Sequence, residues 1–150
     1  MDLFYDSVTP ANIPAGSKAC LYADGLYKAP LSAAKRFSAV RWITVYGGVT
    51  AAKYAGCADF ETGNPVYANP TALRDWVMGR TSKGMRARVY CNRSDLALVR
   101  QRLRGLEYLV WIATLDGNRL SPSYTAGLWA VQFAGGMTAK YDTSCLYGAW

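Results

Sequence analysis

Eight short apolar runs divide this chain, and they constrain its fold more than any other feature. They lie at residues 3–6, 19–23, 40–46, 56–60, 86–91, 108–114, 128–133 and 138–147. Runs of this length, closed by Gly, Pro, Asn or Asp, read as strands. Most are apolar almost throughout, the pattern of a parallel sheet covered on both faces by crossover helices. Helical spacing lies between some of them. Residues 30–37 place Leu31, Ala34 and Phe37 on one face, residues 70–78 run up to Gly79, and Ser94 caps a segment ending at Leu103. After the third run, Gly47-Gly48 and a small-residue loop stand where a helix is expected, and the last connections are too short for one. The expected fold is α/β: a compact, reduced (β/α) barrel of about eight mostly parallel strands, TIM-barrel-like with several helices missing. At 150 residues the chain falls well below the roughly 250 of a full barrel. An open doubly wound sheet is the structural alternative. One domain, residues 1–150, accounts for the length.

The acids fall at strand ends. Asp6, Asp24, Asp59, Glu61 and Asp116 each stand at or just past the C-terminal end of an apolar run. In a parallel barrel that rim gathers the βα loops and carries the chemistry. Asp142 joins them only if its strand ends near Asp142 rather than at Tyr147. Asp59 and Glu61 are two apart, so in a strand they face the same way. Adjacent carboxylates repel and burial penalises their charged forms, so one is pushed towards holding a proton while the other stays ionised. An acid and an anion within reach of one bond are what glycoside hydrolysis needs. The plainer alternative is that Asp59 caps the turn and Glu61 is solvated. Turn capping accounts well for Asp24-Gly25 and Asp116-Gly117.

Composition narrows the chemistry. The chain has no histidine, which removes Ser-His-Asp and Cys-His catalysis and the usual nitrogen ligand of zinc. Acid–base work must run on carboxylates, tyrosines or lysines, and neither metal nor cofactor is expected. Cys20, Cys57, Cys91 and Cys145 each sit inside an apolar run and form no CxxC pair. Buried free thiols are expected, with one disulfide as the alternative if neighbouring strands align two of them. A net charge of +7 favours polyanionic surroundings, yet no tight Lys/Arg block marks a sequence-specific nucleic-acid arm. No run is long enough to span a membrane, and the N-terminus carries no basic signal-peptide region.

Several short motifs recur in a familiar order. They are Tyr5-Asp6-Ser7, Asp59-Phe60-Glu61, Val89-Tyr90-Cys91-Asn92, Trp111-Ile112-Ala113, Trp129-Ala130-Val131-Gln132-Phe133 and Tyr141-Asp142. Together they resemble the family 25 glycoside hydrolases, lysozyme-type muramidases, in particular short actinobacterial and actinophage forms. The resemblance implies a (β/α)5β3 barrel and cleavage between N-acetylmuramic acid and N-acetylglucosamine in peptidoglycan. It implies Glu61 as general acid and Asp59 as the carboxylate that attacks the sugar or steadies an N-acetyl group doing so. It also implies Asp6 and Asp142 as the acids flanking the cleft. Glu61 is accordingly expected to have a raised pKa and to hold the proton.

Aromatic and polar residues near the expected rim extend the candidate site. Asp24, Tyr46, Tyr90, Trp129 and Gln132 are the candidate substrate-binding residues, with Trp129 and Gln132 as a pair; Trp42 and Trp111 are expected to fill the core. The function expected is a peptidoglycan hydrolase, a phage or actinobacterial lysin whose basic charge holds it on an anionic wall. Lacking a signal, it would reach the wall from the host cytoplasm through a membrane lesion, or ride on a virion. The alternative is an inactive glycan-binding or structural module, a virion surface or tail component with other virion proteins as partners.

Overall fold

The computed structural model describes residues 2–119 and 127–150. All eight apolar runs form strands: β1 (Leu3–Asp6), β2 (Lys18–Tyr22), β3 (Ala39–Thr44), β4 (Cys57–Phe60), β5 (Arg88–Asn92), β6 (Leu109–Ala113), β7 (Leu128–Ala134) and β8 (Asp142–Leu146). They close into a barrel in sequence order, which excludes the open sheet. Pairing is parallel from β1 through β7, whereas β8 is antiparallel to both β7 and β1. The connection from β6 to β7 runs through residues 120–126, outside the described residues, and no candidate site residue falls there.

Alternation along each strand sorts side chains into the barrel or out of it. Phe4, Cys20, Ile43, Cys57, Tyr90, Trp111, Ala130 and Leu146, one from each strand, pack together in the interior. Their sequence neighbours Ala58, Val89, Ile112, Val131 and Cys145 point outward into a second core. A third, smaller cluster holds Ile13, Ala19, Leu21 and Ala29 on the outer face of β2. All four cysteines are buried and free.

Short helices cover the outer core. They are α1 (Gly48–Ala51), α2 (Pro65–Ala68), α3 (Ala72–Thr81) and α4 (Leu96–Arg102). From α3, Leu73, Trp76 and Val77 are fully buried against the strands. Burying side chains of this size contributes about 1.5–3 kcal/mol each. Four sequence expectations change here. The segment after β3 does form a helix, α1, a single turn that packs on α3. Gly79 does not end α3. It lies inside the helix where a Cβ would come within 3.0 Å of Ala52 Cβ, so the glycine permits the close approach of α1. Ser94 caps nothing by its side chain, because it lies inside a 3-10 turn (Arg93–Asp95) that precedes α4. Residues 31–36 are likewise 3-10 rather than α-helical, with Leu31 80% exposed. A spacing of three at positions 31, 34 and 37 suits a three-residue turn as readily as an α-helix.

Candidate active site

Four carboxyl groups converge at one mouth of the barrel. Asp6 ends β1, Asp59 is the penultimate residue of β4, and Glu61 follows that strand. Asp142 arrives differently. It begins β8 rather than ending it, and because β8 runs antiparallel its first residue lies at the rim where the parallel strands finish. There Asp6 and Asp142 stand opposite each other in register. The four line one small cavity of about 50 Å³, whose walls include Tyr22 and Tyr90 with Ile43 and Trp111 beneath.

The loop between β7 and β8 is built to present Asp142. Gly136 N–H donates to Asp142 Oδ1 at 2.7 Å. A Cβ on Gly135 would collide with the Asp142 carboxyl, and its φ of +134° is also one that side chains rarely adopt.

Burial sets the electrostatics. Asp6 and Asp59 are only 6% and 3% exposed, and Oδ1 of each lacks a hydrogen-bond partner among the described residues. Desolvation, then the charges of Asp142, Asp59 and Glu61, hold the Asp6 carboxyl well above the usual range. Desolvation followed by the Glu61 charge pushes Asp59 up to about 8, against the opposing hydrogen bonds. The Tyr22 hydroxyl donates to Asp59 Oδ2 at 3.2 Å, and Asn64 Nδ2 donates to the Asp59 carbonyl at 3.1 Å. Glu61 is half-buried; desolvation raises it, opposed by the Asn92 amide, which donates to Oε1 at 3.1 Å. Asp142 is raised as well, by desolvation. Glu61 therefore moves in the expected direction. Asp59, the more deeply buried member, moves the same way, so the pair as a unit keeps a proton near neutral pH.

The remaining candidates separate. Tyr90 lines the acid cavity and packs edge-on to Trp111, ring centroids 4.7 Å apart. Asp24 does not reach the cavity. Its carboxylate accepts hydrogen bonds from Thr44 Oγ1 at 2.6 Å, Val45 N–H at 2.8 Å and the Tyr54 hydroxyl at 2.9 Å, tying the end of β2 to β3. It faces a separate groove of about 450 Å³ with Lys28, Pro30 and Trp42. Tyr46 is half-exposed beyond the end of β3 and lines neither space. The pairing of Trp129 with Gln132 fails. Trp129 is fully buried at the start of β7, at the opposite end of the barrel, its Nε1 donating to the Ala149 carbonyl at 2.9 Å. Gln132 lies near the rim end of the strand, buried, with Oε1 unpartnered among the described residues.

Three polar contributors were missed. Tyr22 and Asn92 bind Asp59 and Glu61 directly, and both stand at the C-terminal end of a strand, the signal already used for the acids. Asn64 belongs to the turn that follows β4. Trp111, expected in the core, is buried yet lines the cavity, with Nε1 donating to Ser144 Oγ at 2.9 Å. Among the described residues no group of three or more His, Cys, Asp or Glu is arranged to hold a metal ion. No helix among them is long and apolar enough to cross a membrane.

No family model matches the chain, and no curated protein sequence does. Among solved structures, the muramidase from Trichobolus zukalii has a similar fold, with a TM-score of 0.59 at 12% identity over 99% of this chain and 95% of that one. At that identity the likeness speaks for the fold: a closed barrel of the architecture that a muramidase uses.

Proposed function

We propose that this protein is a glycoside hydrolase of the muramidase type, with a reduced (β/α)5β3 barrel, that cleaves peptidoglycan glycan strands. The observation carrying this reading is the Asp59/Glu61 pair, set two residues apart at the end of β4, both raised in pKa and flanked by Asp6 and Asp142. A pair in which one member holds its proton to about pH 8 enters the reaction at neutral pH with a proton to give and a charge to use. Glu61 is the more exposed member, and Asn92 anchors one of its oxygens. In the reacting form the pair's one proton therefore lies on Glu61, which passes it to the leaving glycosidic oxygen, while Asp59, ionised in that form, steadies the positive charge that develops on the sugar.

The test is release of reducing sugar from purified peptidoglycan, comparing the wild type with Glu61→Gln. Release by the wild type and its collapse in the variant support the reading. No release by the wild type overturns it.

One observation favours a second reading, a glycan-binding module without turnover. The acid cavity of about 50 Å³ is far below the roughly 300–1,000 Å³ of ordinary ligand pockets, so a glycan must lie across the rim rather than within it. That reading expects wall binding without release of sugar. Delivery to the wall as a lysin, or as part of a virion with other virion proteins, belongs to the proposal in either form.

A further inference from the structure

The end of the barrel opposite the acids carries a cluster of opposite sign. Arg41 lies in the first half of β3 and Arg88 opens β5; between them β4 begins just after Gly56. Arg80 reaches the same place from α3, its Nε donating to the Arg86 carbonyl and its Nη1 to the carbonyls of Ala52 and Ala55. Arg88 is 4% exposed, and the Nε atoms of Arg41 and Arg88 have no acceptor among the described residues. No carboxylate among the described residues forms an ion pair with any of the three.

Tryptophans answer part of this charge. The Arg88 guanidinium lies 4.9 Å from the Trp129 ring, and Arg41 lies 5.8 Å from Trp129 and 5.1 Å from Trp150. Such contacts use the flat faces of the guanidinium and leave its N–H edge without a partner. Two of the guanidinium groups approach each other beside Gly56. Arg41 Nη1 and Arg80 Nη2 each lie 3.9 Å from the position a Cβ would take on Gly56, which has none.

We infer that Arg41, Arg80 and Arg88 form a binding site for a phosphate group at the base of the barrel. Donors on three arms suit a tetrahedral oxyanion better than a planar carboxylate, and a doubly charged ligand offsets more of the buried charge. The local field agrees. Burial and then the neighbouring Arg41 push Arg88 down to about 10; burial opposes a shift of the Cys57 thiol, which is drawn below its ordinary value by the Cys20 hydrogen bond and then by the three guanidinium groups. The site does not depend on the proposed hydrolysis, since it lies away from the acids and shares no residue with them.

Thermal unfolding in phosphate, and in chloride at matched ionic strength, tests the inference. Phosphate at roughly 100 times its Kd is expected to raise Tm by about 5–10 °C. Arg41→Gln, at a partly exposed position, is expected to remove most of that shift. Arg88→Met is expected to remove it as well while leaving the phosphate-free protein as stable or more so. A poly(glycerol phosphate) arm distinguishes sources. Stabilisation by it as well as by phosphate points to a phosphodiester polymer, and stabilisation by phosphate alone to a free phosphate. Equal shifts in chloride and phosphate, or a full shift retained in both variants, overturn the site.

Discussion

The two ends of the barrel bury like charges and deal with them in different ways. At the rim, Asp6, Asp59, Glu61 and Asp142 crowd together, and the repulsion is relieved by protonation, because a carboxyl can become neutral within the physiological range. At the base, Arg41, Arg80 and Arg88 crowd together with no such escape, since a guanidinium keeps its charge. Indole faces and carbonyl oxygens stand in instead. The rim is thus a proton store whose state follows pH, and the base is a fixed field. The proposed reaction draws on the first kind of cluster and the proposed phosphate site on the second.

The sharpest way to break this contrast is to remove the transferable proton. Glu61→Gln keeps size and hydrogen bonding but has no proton to give, so sugar release should fall by roughly 10²–10⁴-fold. Melting temperature should hold or rise, because repulsion with Asp59 is relieved. Unfolding of Glu61→Gln, seen by circular dichroism, would instead make Glu61 a structural hydrogen-bonding residue.

Removing an indole attacks the base. Trp129→Ala strips the face from two guanidinium groups and empties a fully buried site, and should cost about 3–5 kcal/mol in denaturant unfolding. A loss below about 1 kcal/mol would mean that the arginines do not rely on Trp129.

The pH dependence separates the ends with a smaller effect. Asp59 has a folded pKa of about 8 against an ordinary value of 3.8, so the folded state binds more protons between those values. Its contribution is therefore present in full below about pH 4 and is lost as pH rises through 8. Asp59→Asn should flatten the fall in Tm from pH 5 to pH 8. Arg88→Met should leave that slope unchanged. Equal slopes in the wild type and Asp59→Asn would contradict the proton store.

The smallest effect concerns net charge. Binding to wall sacculi should weaken steadily with added salt, because exposed charges are screened over about 8 Å at physiological ionic strength. Binding that is flat in salt would leave contact with the sugar as its source.

Much of the fold was legible because its signals are local. Eight apolar runs between turn residues marked all eight strands, and the two-residue spacing of Asp59 and Glu61 put both on one face. Asp116 behaves as the turn residue its glycine announced, its Oδ1 accepting from Asn118 N–H at 2.9 Å, whereas Asp24 reaches across to β3 and accepts from Val45 N–H. Trp129 and Gln132 show where local reading fails. Three residues along a strand is about 10 Å, enough to set one at the base and the other near the rim.

The sequence by itself determined which residues become strands and which acids sit at their ends, since periodicity and turn chemistry act over a few neighbours. Only the tertiary structure decided that β8 runs backwards, bringing Asp142 opposite Asp6, and that Asp59 is buried more deeply than Glu61. It also decided that arginines from β3 and α3 meet beside Gly56, and that Arg88 of β5 shares the Trp129 ring with Arg41. Strand direction, depth and the meeting of distant side chains follow from closing the barrel, and closure is a property of all eight strands together.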